Sequence, residues 1–267
     1  GLFAALQLTE AGYAPIVLER GRSVEKRRQD VEKFWETGLL DPASNVQFGE
    51  GGAGTFSDGK LNTVVKDPSG RNQFVLETFV HYGAPEEITY ENKPHIGTDV
   101  LSQVIGNMRK DLIAKGAEFH FESCVKDLVI ENGRIAAVVT EEETYPASAV
   151  ILALGHSARD TFEMLDAKKE IPMEVKNFAV GFRVEHPQTM IDTIMYGDYR
   201  GAKLPASPYK VTSNFPDGRG VYSFCMCPGG YVVNASSEEG RSCVNGMSYS
   251  GRNGANANSA IIVSVTP

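Results

Sequence analysis

The order of apolar segments predicts an α/β fold followed by a β-rich, α+β part. Three observations carry this reading. An amphipathic helix runs directly into an apolar strand over GLFAALQLTEAGYAPIVLERG, residues 1–21. A second helix, over 98–115, feeds another strand and then a small antiparallel meander over 125–147. Beyond residue 166, alternating strands and glycine turns replace this pattern.

In the first helix Leu2, Ala5, Leu6 and Ala11 suit a buried face, and Gly12 is placed to end it. Ala14 to Leu18 reads as a buried strand closing on Glu19, Arg20 and Gly21. Val24 to Gly38 is a charged helix or surface segment. Arg71 to Tyr82 is a helix with Phe74, Val75, Phe79 and Val80 at helical spacings. Thr98 to Lys115 carries the clearest stripe, Leu101, Val104, Ile105, Met108 and Leu112, and Gly116 stops it. Ala117 to Phe121 is a short strand. Val125 to Ile130 and Ile135 to Thr140 flank the hairpin turn Glu131-Asn132-Gly133-Arg134. Thr144 to Ala147 adds a third strand, and Ala149 to Leu154 reads as a buried core strand ended by Gly155. In the second part Phe178 to Glu185 alternates as a strand. Val221 to Cys227 and Tyr231 to Ala235 form a hairpin around Pro228-Gly229-Gly230. Asn245 to Asn258 is rich in Gly, Asn and Ser, and Ala260 to Val265 is strand-like. The domain boundary is expected near residue 166, giving 1–165 and 166–267.

Composition bounds the function. The 267 residues contain 42% hydrophobic and 22% charged side chains, ordinary globular values. The net charge of −8 argues against a nucleic-acid or membrane-surface binder. No apolar run approaches a membrane span, and no secretory signal opens the sequence. The four cysteines, Cys124, Cys225, Cys227 and Cys243, form no disulfide framework and no CxxC metal pair. A cytoplasmic location, with no metal, is the expectation.

The stretch GEGGAGTFSDGK, residues 49–60, has five glycines in twelve residues. Such loops reach positive φ, or bring backbone N–H groups close to an anion. Gly54, Gly59 and Lys60 have the spacing of a nucleotide-triphosphate loop, but Leu61 stands where a magnesium-holding hydroxyl belongs. Another phosphate-bearing ligand is therefore sought. In a dinucleotide fold a glycine turn sets pyrophosphate on a helix N-terminus, and an acid ending the next strand takes a ribose. Gly1 fits the third glycine of such a turn. Glu19, 18 positions later, fits the ribose acid.

The chain resembles the two-dinucleotide-domain flavoproteins that bind FAD. The resemblance lies in GLFAALQLTEAGYAPIVLERG, the meander ending in AVILALGHSARDT, and GEGGAGTFSDGKL. It resembles more closely a bacterial family of largely uncharacterised FAD-dependent dehydrogenases, through FGEGGAGTFSDGKLNT, ALGHSARDTFEML, MCPGGYVVNASSEEG and NGMSYSGRNGANANSA. The resemblance implies a Rossmann-like FAD-binding domain with an antiparallel meander over 1–165, and part of a β-rich substrate domain over 166–267. It also implies an internal stretch of a longer protein, lacking the first strand with its first two glycines and the C-terminal return to the FAD domain.

The implied FAD contacts are Gly1, Glu19, Arg20, Gly51, Gly52, Gly54, Thr55, Ser57, Lys60, Val125 through its backbone, Ala153 and Gly155. The implied activity is hydride or electron transfer between flavin and a small organic substrate, with NAD(P)H as a candidate donor. An RNA-modifying flavoprotein and a non-catalytic fragment are the alternatives; the acidic balance speaks against the first. No catalytic residue is fixed. Lys60 suits charge stabilisation of a reduced flavin, and His156 suits acid–base work. Cys225 and Cys227, at i and i+2 on a strand, face one way; a redox pair there competes with two small buried side chains. Arg183 and Arg252 suit an acidic substrate, while Asn245, Ser248, Asn256 and Asn258 either line a polar pocket or satisfy turns.

Overall fold

The computed structural model describes residues 1–61, 66–198 and 203–267. Asn62 and Thr63, which end one of the quoted motifs, lie outside the described residues. The chain is a mixed α/β protein with several sheets. It forms two compact units, each assembled from separate stretches. The first holds Gly1–Ala53, Ile105–Glu174 and Ser236–Arg241; the second holds Gly54–Val104, Val175–Ala235 and Ser242–Pro267. A single cut near residue 166 therefore describes only one of the places where the chain crosses between units.

In the first unit, helix α1 (Leu2–Glu10) buries Ala5, Leu6 and Thr9. Ala11, assigned to that face from sequence, is exposed, because it lies past the last helical turn. Strand β1 is Ile16–Leu18 and is half-buried rather than fully buried; Ile16 is 46% exposed. Helix α2 (Val24–Thr37) buries Val24, Arg27, Val31 and Phe34, a stripe at helical spacing. Gly38, at φ 75°, closes it in the left-handed region. Two more helices have their beginnings in the second unit's stretch: α3 (Arg71–His81) lies wholly there, and α4 (Thr98–Ala114) passes from there into the first. All five residues of the predicted α4 stripe are buried. In α3 Leu76 and Thr78 are buried instead of Phe74, which is 40% exposed.

Strand β2 (Glu118–His120) pairs parallel with β1. The meander follows as β3 (Asp127–Glu131), β4 (Arg134–Val139) and β5 (Thr144–Pro146), antiparallel throughout. Asn132 at φ 52° and Gly133 at φ 74° make the expected hairpin turn. Leu128, Val138 and Leu165 form its core, with Val150 and Leu154 packed on them. The core strand expected at 149–154 does not form. Among the described residues no neighbour offers that segment a hydrogen-bond ladder, and Ile151 and Leu152 are exposed. Helix α5 (Arg159–Ala167) completes the unit.

The second unit is built on β6 (Phe178–Pro187), helix α6 (Gln188–Tyr196), β7 (Thr212–Asn214), β8 (Gly220–Cys227), β9 (Tyr231–Asn234), β10 (Val244–Met247) and β11 (Asn256–Val265). One sheet runs β6-β11-β8-β7, antiparallel, and β9 pairs with β10. The expected β8–β9 hairpin is thus corrected. Both edges of β8 are taken, by β11 and β7, so β9 finds its partner in β10.

Candidate functional site

Within the first unit the carboxyl end of β1 meets the start of the glycine-rich loop. The Glu19 main chain continues the parallel pairing, its N–H donating to His120 O at 2.9 Å. Its side-chain Oε1 accepts from Gly21 N at 2.9 Å and from Gly49 N at 3.0 Å. The carboxylate is thereby fixed on two backbone amides, and its charge also acts on the Gly1 amino group.

The loop is held by Arg27. This guanidinium is fully buried and donates to the carbonyls of Asn45 (2.8 Å), Val46 (2.9 Å), Glu50 (2.7 Å) and Gly49 (3.3 Å). Burial lowers its pKa to about 10, so it remains charged at neutral pH. Next to it, Glu50 Oε2 accepts from Val24 N at 2.8 Å and caps the first turn of α2, while Oε1 pairs with Arg109 Nε at 2.9 Å. Burial raises the Glu50 pKa. Sequence reasoning missed both residues. The signal was present: Arg27 stands on the Val24, Val31, Phe34 stripe, where a solvated arginine does not belong.

Other sequence-assigned residues of this unit divide. Gly51 and Gly52 take φ of 85° and 63°, and a Cβ at Gly52 would meet nothing within 4 Å, so the backbone faces open space. Arg20 is engaged internally: Nη2 donates to Asp160 at 2.8 and 3.0 Å and to Thr161 Oγ1 at 3.1 Å, with the guanidinium 4.2 Å over Phe48. Val125 precedes β3 and packs on the meander core. Ala153, Gly155 and His156 are exposed, and His156 Nε2 lies 3.4 Å from Ser157 Oγ.

The second unit gathers a different cluster. Residues 59–61 pair with 94–96: Ile96 N donates to Gly59 O and Leu61 N to Pro94 O, both at 2.9 Å. Gly59 is required there, since its φ is 68° and a Cβ would collide with the Ile96 carbonyl. This turn presents Asp58, 1% exposed, to three donors: Lys60 Nζ, Ser248 Oγ and Arg252, whose Nε lies 3.3 Å from Oδ1. Arg252 holds a φ of 44°, an unusual backbone for a non-glycine residue. Lys60 also donates to the Met226 carbonyl. Thr55 is fully buried and its Oγ1 has no partner, whereas Ser57 Oγ donates to Gly54 O at 2.8 Å. Burial lowers the His95 pKa, with Arg252 adding to the effect.

Around Met226 lies the cysteine pair. Phe224 pairs with Ala260 and Cys227 with Asn258, so Cys225 and Met226 oppose the single residue Ser259 in a β-bulge. Cys225 takes φ 48°. The bulge interrupts the regular alternation on which the shared-face expectation for the two thiols rests. Arg183 Nη1 donates to Cys225 O at 3.0 Å and to Asn258 Oδ1 at 2.6 Å. Cys227 is fully buried and its thiol lies 3.3 Å from Cys225 O. Hydrogen bonding from Cys227, then Lys60 and Arg183, lowers the Cys225 pKa to about 6 against the cost of burial; the same exchange pushes Cys227 up. Lys60, Ser248 and Arg252, read separately from sequence, thus form one cluster around Asp58, with Arg183, Asn258 and the cysteines on the adjoining strands. Asn245 donates to Phe56 O at 3.3 Å and Asn256 to Glu185 at 2.9 Å. Among the described residues no helix is long and apolar enough to cross a membrane.

An uncharacterized protein of Clostridium beijerinckii is 50% identical over 269 residues, spanning all of this chain and 50% of its own length. The chain thus spans about half the length of that curated relative. A glycerol-3-phosphate dehydrogenase from Bacillus halodurans, solved with FAD, aligns at 12% identity and TM-score 0.41, covering 99% of this chain and 45% of the other. A glycine oxidase from Bacillus cereus aligns at 10% identity and TM-score 0.35, covering 98% of this chain and 70% of the other. The similarity that carries a family description is that of residues 177–267, which match the family described as FAD-dependent protein, C-terminal domain-like.

Proposed function

We propose that this chain is part of an FAD-dependent oxidoreductase acting on a small organic substrate. The observation that carries the reading is the fixed Glu19 carboxylate at the carboxyl end of parallel strand β1, where α/β sheets bind their ligands. Both backbone amides end on Oε1, and Oε2 is the oxygen assigned to accept from a ribose hydroxyl of the adenosine half. The family match over 177–267 supports the same cofactor.

The residues fit that group. Gly52 offers backbone with open space where a Cβ would stand. By the resemblance Gly1 is assigned to the pyrophosphate, Gly51 and Gly52 to the pyrophosphate or ribityl oxygens, the Val125 backbone to the adenine, and Ala153 and Gly155 to the segment beside the cofactor. Gly54, Thr55, Ser57 and Lys60 belong to the second unit and are assigned from the resemblance. Arg20 is a positioning residue, since Asp160 and Phe48 already engage it.

Bound FAD would supply the acceptor for a hydride or electrons. This chain's own residues hold and orient. Arg27 fixes the loop carbonyls, and Glu19 fixes the loop's Gly49 amide. In the second unit Lys60 and Arg252 share the single carboxylate of Asp58, leaving one positive charge over for an anionic substrate. A nicotinamide dinucleotide is the proposed electron donor. The test is anaerobic reduction of the purified full-length gene product by NADH and NADPH. Bleaching of a bound flavin band supports the reading; a colourless protein that takes up no added FAD overturns it.

A further inference from the structure

We propose that His95 is the specificity-determining residue of the anion site at Lys60 and Arg252, and that the anion this site takes is a small 2-hydroxy carboxylate. This rests on the reading of those two cations as the anchor of an anionic substrate. All the residues involved belong to the second unit. Ile96 N donates to Gly59 O and Leu61 N to Pro94 O, so Lys60 and His95 face each other between these bonds as a non-hydrogen-bonded antiparallel pair. In such a pair the Cα atoms lie about 4.5 Å apart and both side chains leave on one face. The far end of the His95 ring is fixed as well. Nε2 donates to Ser250 O at 3.1 Å, two residues before Arg252. Asp99 holds Ser250, accepting from its N–H at 3.0 Å and from its Oγ at 2.7 Å. A Cβ on Gly97 would lie 2.0 Å from Ser250 N, so the two segments touch backbone to backbone. His95 thus spans from the Lys60 strand pair to the turn that carries Arg252.

A carbonyl only accepts, so Nε2 carries the ring hydrogen and Nδ1 keeps its lone pair. Among the described residues Nδ1 has no partner. The charged groups around the ring are Lys60 across the pair, Arg252, Asp58 and Glu91, with Asp99 on the other side of Ser250. Burial and Arg252 outweigh the carboxylates, so the imidazole is neutral at neutral pH.

The two cations have capacity left. Lys60 Nζ donates to Asp58 and to Met226 O, and one of its three N–H groups is left over. Arg252 gives Nε and Nη2 to Asp58, and among the described residues Nη1 has no partner. Both side chains reach solvent, at 33% and 20% exposure. Two cations on one buried carboxylate leave a single positive charge, which matches a single carboxylate on the ligand. Nδ1, on the same face as Lys60, calls for a donor on that ligand. A hydroxyl supplies it. A 2-oxo group brings only lone pairs, and an ammonium would meet two like charges. Because Lys60 and His95 are cross-strand neighbours, the hydroxyl and the carboxylate belong on adjacent carbons.

Anaerobic isothermal titration calorimetry of the full-length gene product tests this with glycolate, with acetate, which lacks only the hydroxyl, and with glycine. Glycolate is expected to bind about tenfold tighter than acetate, and glycine no tighter than acetate. In His95→Ala glycolate falls to the level of acetate, while acetate changes by less than about twofold. Lys60→Met and Arg252→Met weaken both ligands by about tenfold. A merely structural His95 would lower both ligands together, and that result overturns the proposal. Equal wild-type affinities, or binding of neither acid, overturn it too. Should His95→Ala fail to fold by circular dichroism, the wild-type preference and the 15N imidazole spectrum decide: a bare Nδ1 supports the proposal and a protonated neutral Nδ1 overturns it. A flavin-free protein that keeps the glycolate preference contradicts the cofactor reading alone; a flavin-loaded protein without the preference contradicts this inference alone.

Discussion

Adding one methyl group at Gly246 tests the packing of the second unit at the scale of a residue. Its Cβ would meet Arg183, Asn258 and Cys227 at once, so Gly246→Ala is expected to cost about 1–3 kcal/mol in urea denaturation. Arg27 makes a complementary case. Arg27→Met keeps most of the volume but takes the guanidinium donor from the carbonyls of Asn45, Val46 and Glu50, while Gly49 O keeps the Gly52 amide. A loss of about 3 kcal/mol or more is expected, because each buried acceptor left unpaired costs about 1–3 kcal/mol. Cys225 gives a pH dependence. Its folded pKa is depressed from 9.0 to about 6, so its contribution is fully present above pH 9.0 and is lost as pH falls to about 6. Cys227 is raised, so it draws stability down only above the ordinary thiol pKa. Denaturation midpoints measured across this range are expected to rise toward pH 9.0, and the rise to flatten in Cys225→Ala. At this scale the sequence made much legible. Lys60, Ser248, Arg252 and Asn258 were all candidates by residue type. Their union was not legible, because Asp58 and Arg252 are 194 positions apart and only folding joins them.

Between residue and fold, elements succeed or fail by their partners. The α4 stripe and the Asn-Gly hairpin were legible because each depends on local spacing alone. The segment 149–154 has a strand's composition, yet strand formation needs a ladder, and none is offered among the described residues. The β8–β9 hairpin failed for the opposite reason, since β8 has a partner on each edge already. Helices α5 and α6 went unread; Pro187 at the cap of α6, followed by Met190, Ile191, Ile194 and Met195, was the available signal. The coupling of α2 to the loop is testable. Glu50→Ala removes the Val24 cap and one of the two carboxylates on Arg109, which keeps its pair with Glu25. The expected loss is about 1–3 kcal/mol, the cost of leaving a buried donor unpaired, read from chemical denaturation. Glu50→Gln, which keeps an acceptor for Val24 N–H, is expected to lose less.

For the molecule as a whole, the chain order does not map onto its compact units. A single boundary near 166 follows from a change in residue pattern, but each unit draws on three stretches of chain. Sequence periodicity reports which face an element buries, not which element it buries against. The second unit also leaves Phe178, Val180 and Phe182 of β6 exposed, at 61%, 57% and 83%, so alternation there does not mark a buried face. Glu19 as a ribose acid and residues 49–60 as a phosphate loop were read from the sequence one at a time; that the Glu19 carboxylate holds the Gly49 amide came from the structure. The binding of FAD at that carboxylate is the central claim, and FAD titration of the full-length gene product tests it most directly, comparing wild type with Glu19→Gln. The variant keeps an oxygen for the Gly21 and Gly49 amides and removes only the charge. The account predicts a bound flavin in the wild type and a fall in affinity of about tenfold or more in the variant, about 1.4 kcal/mol. No flavin uptake by the wild type, or equal affinity in the two proteins, would contradict it.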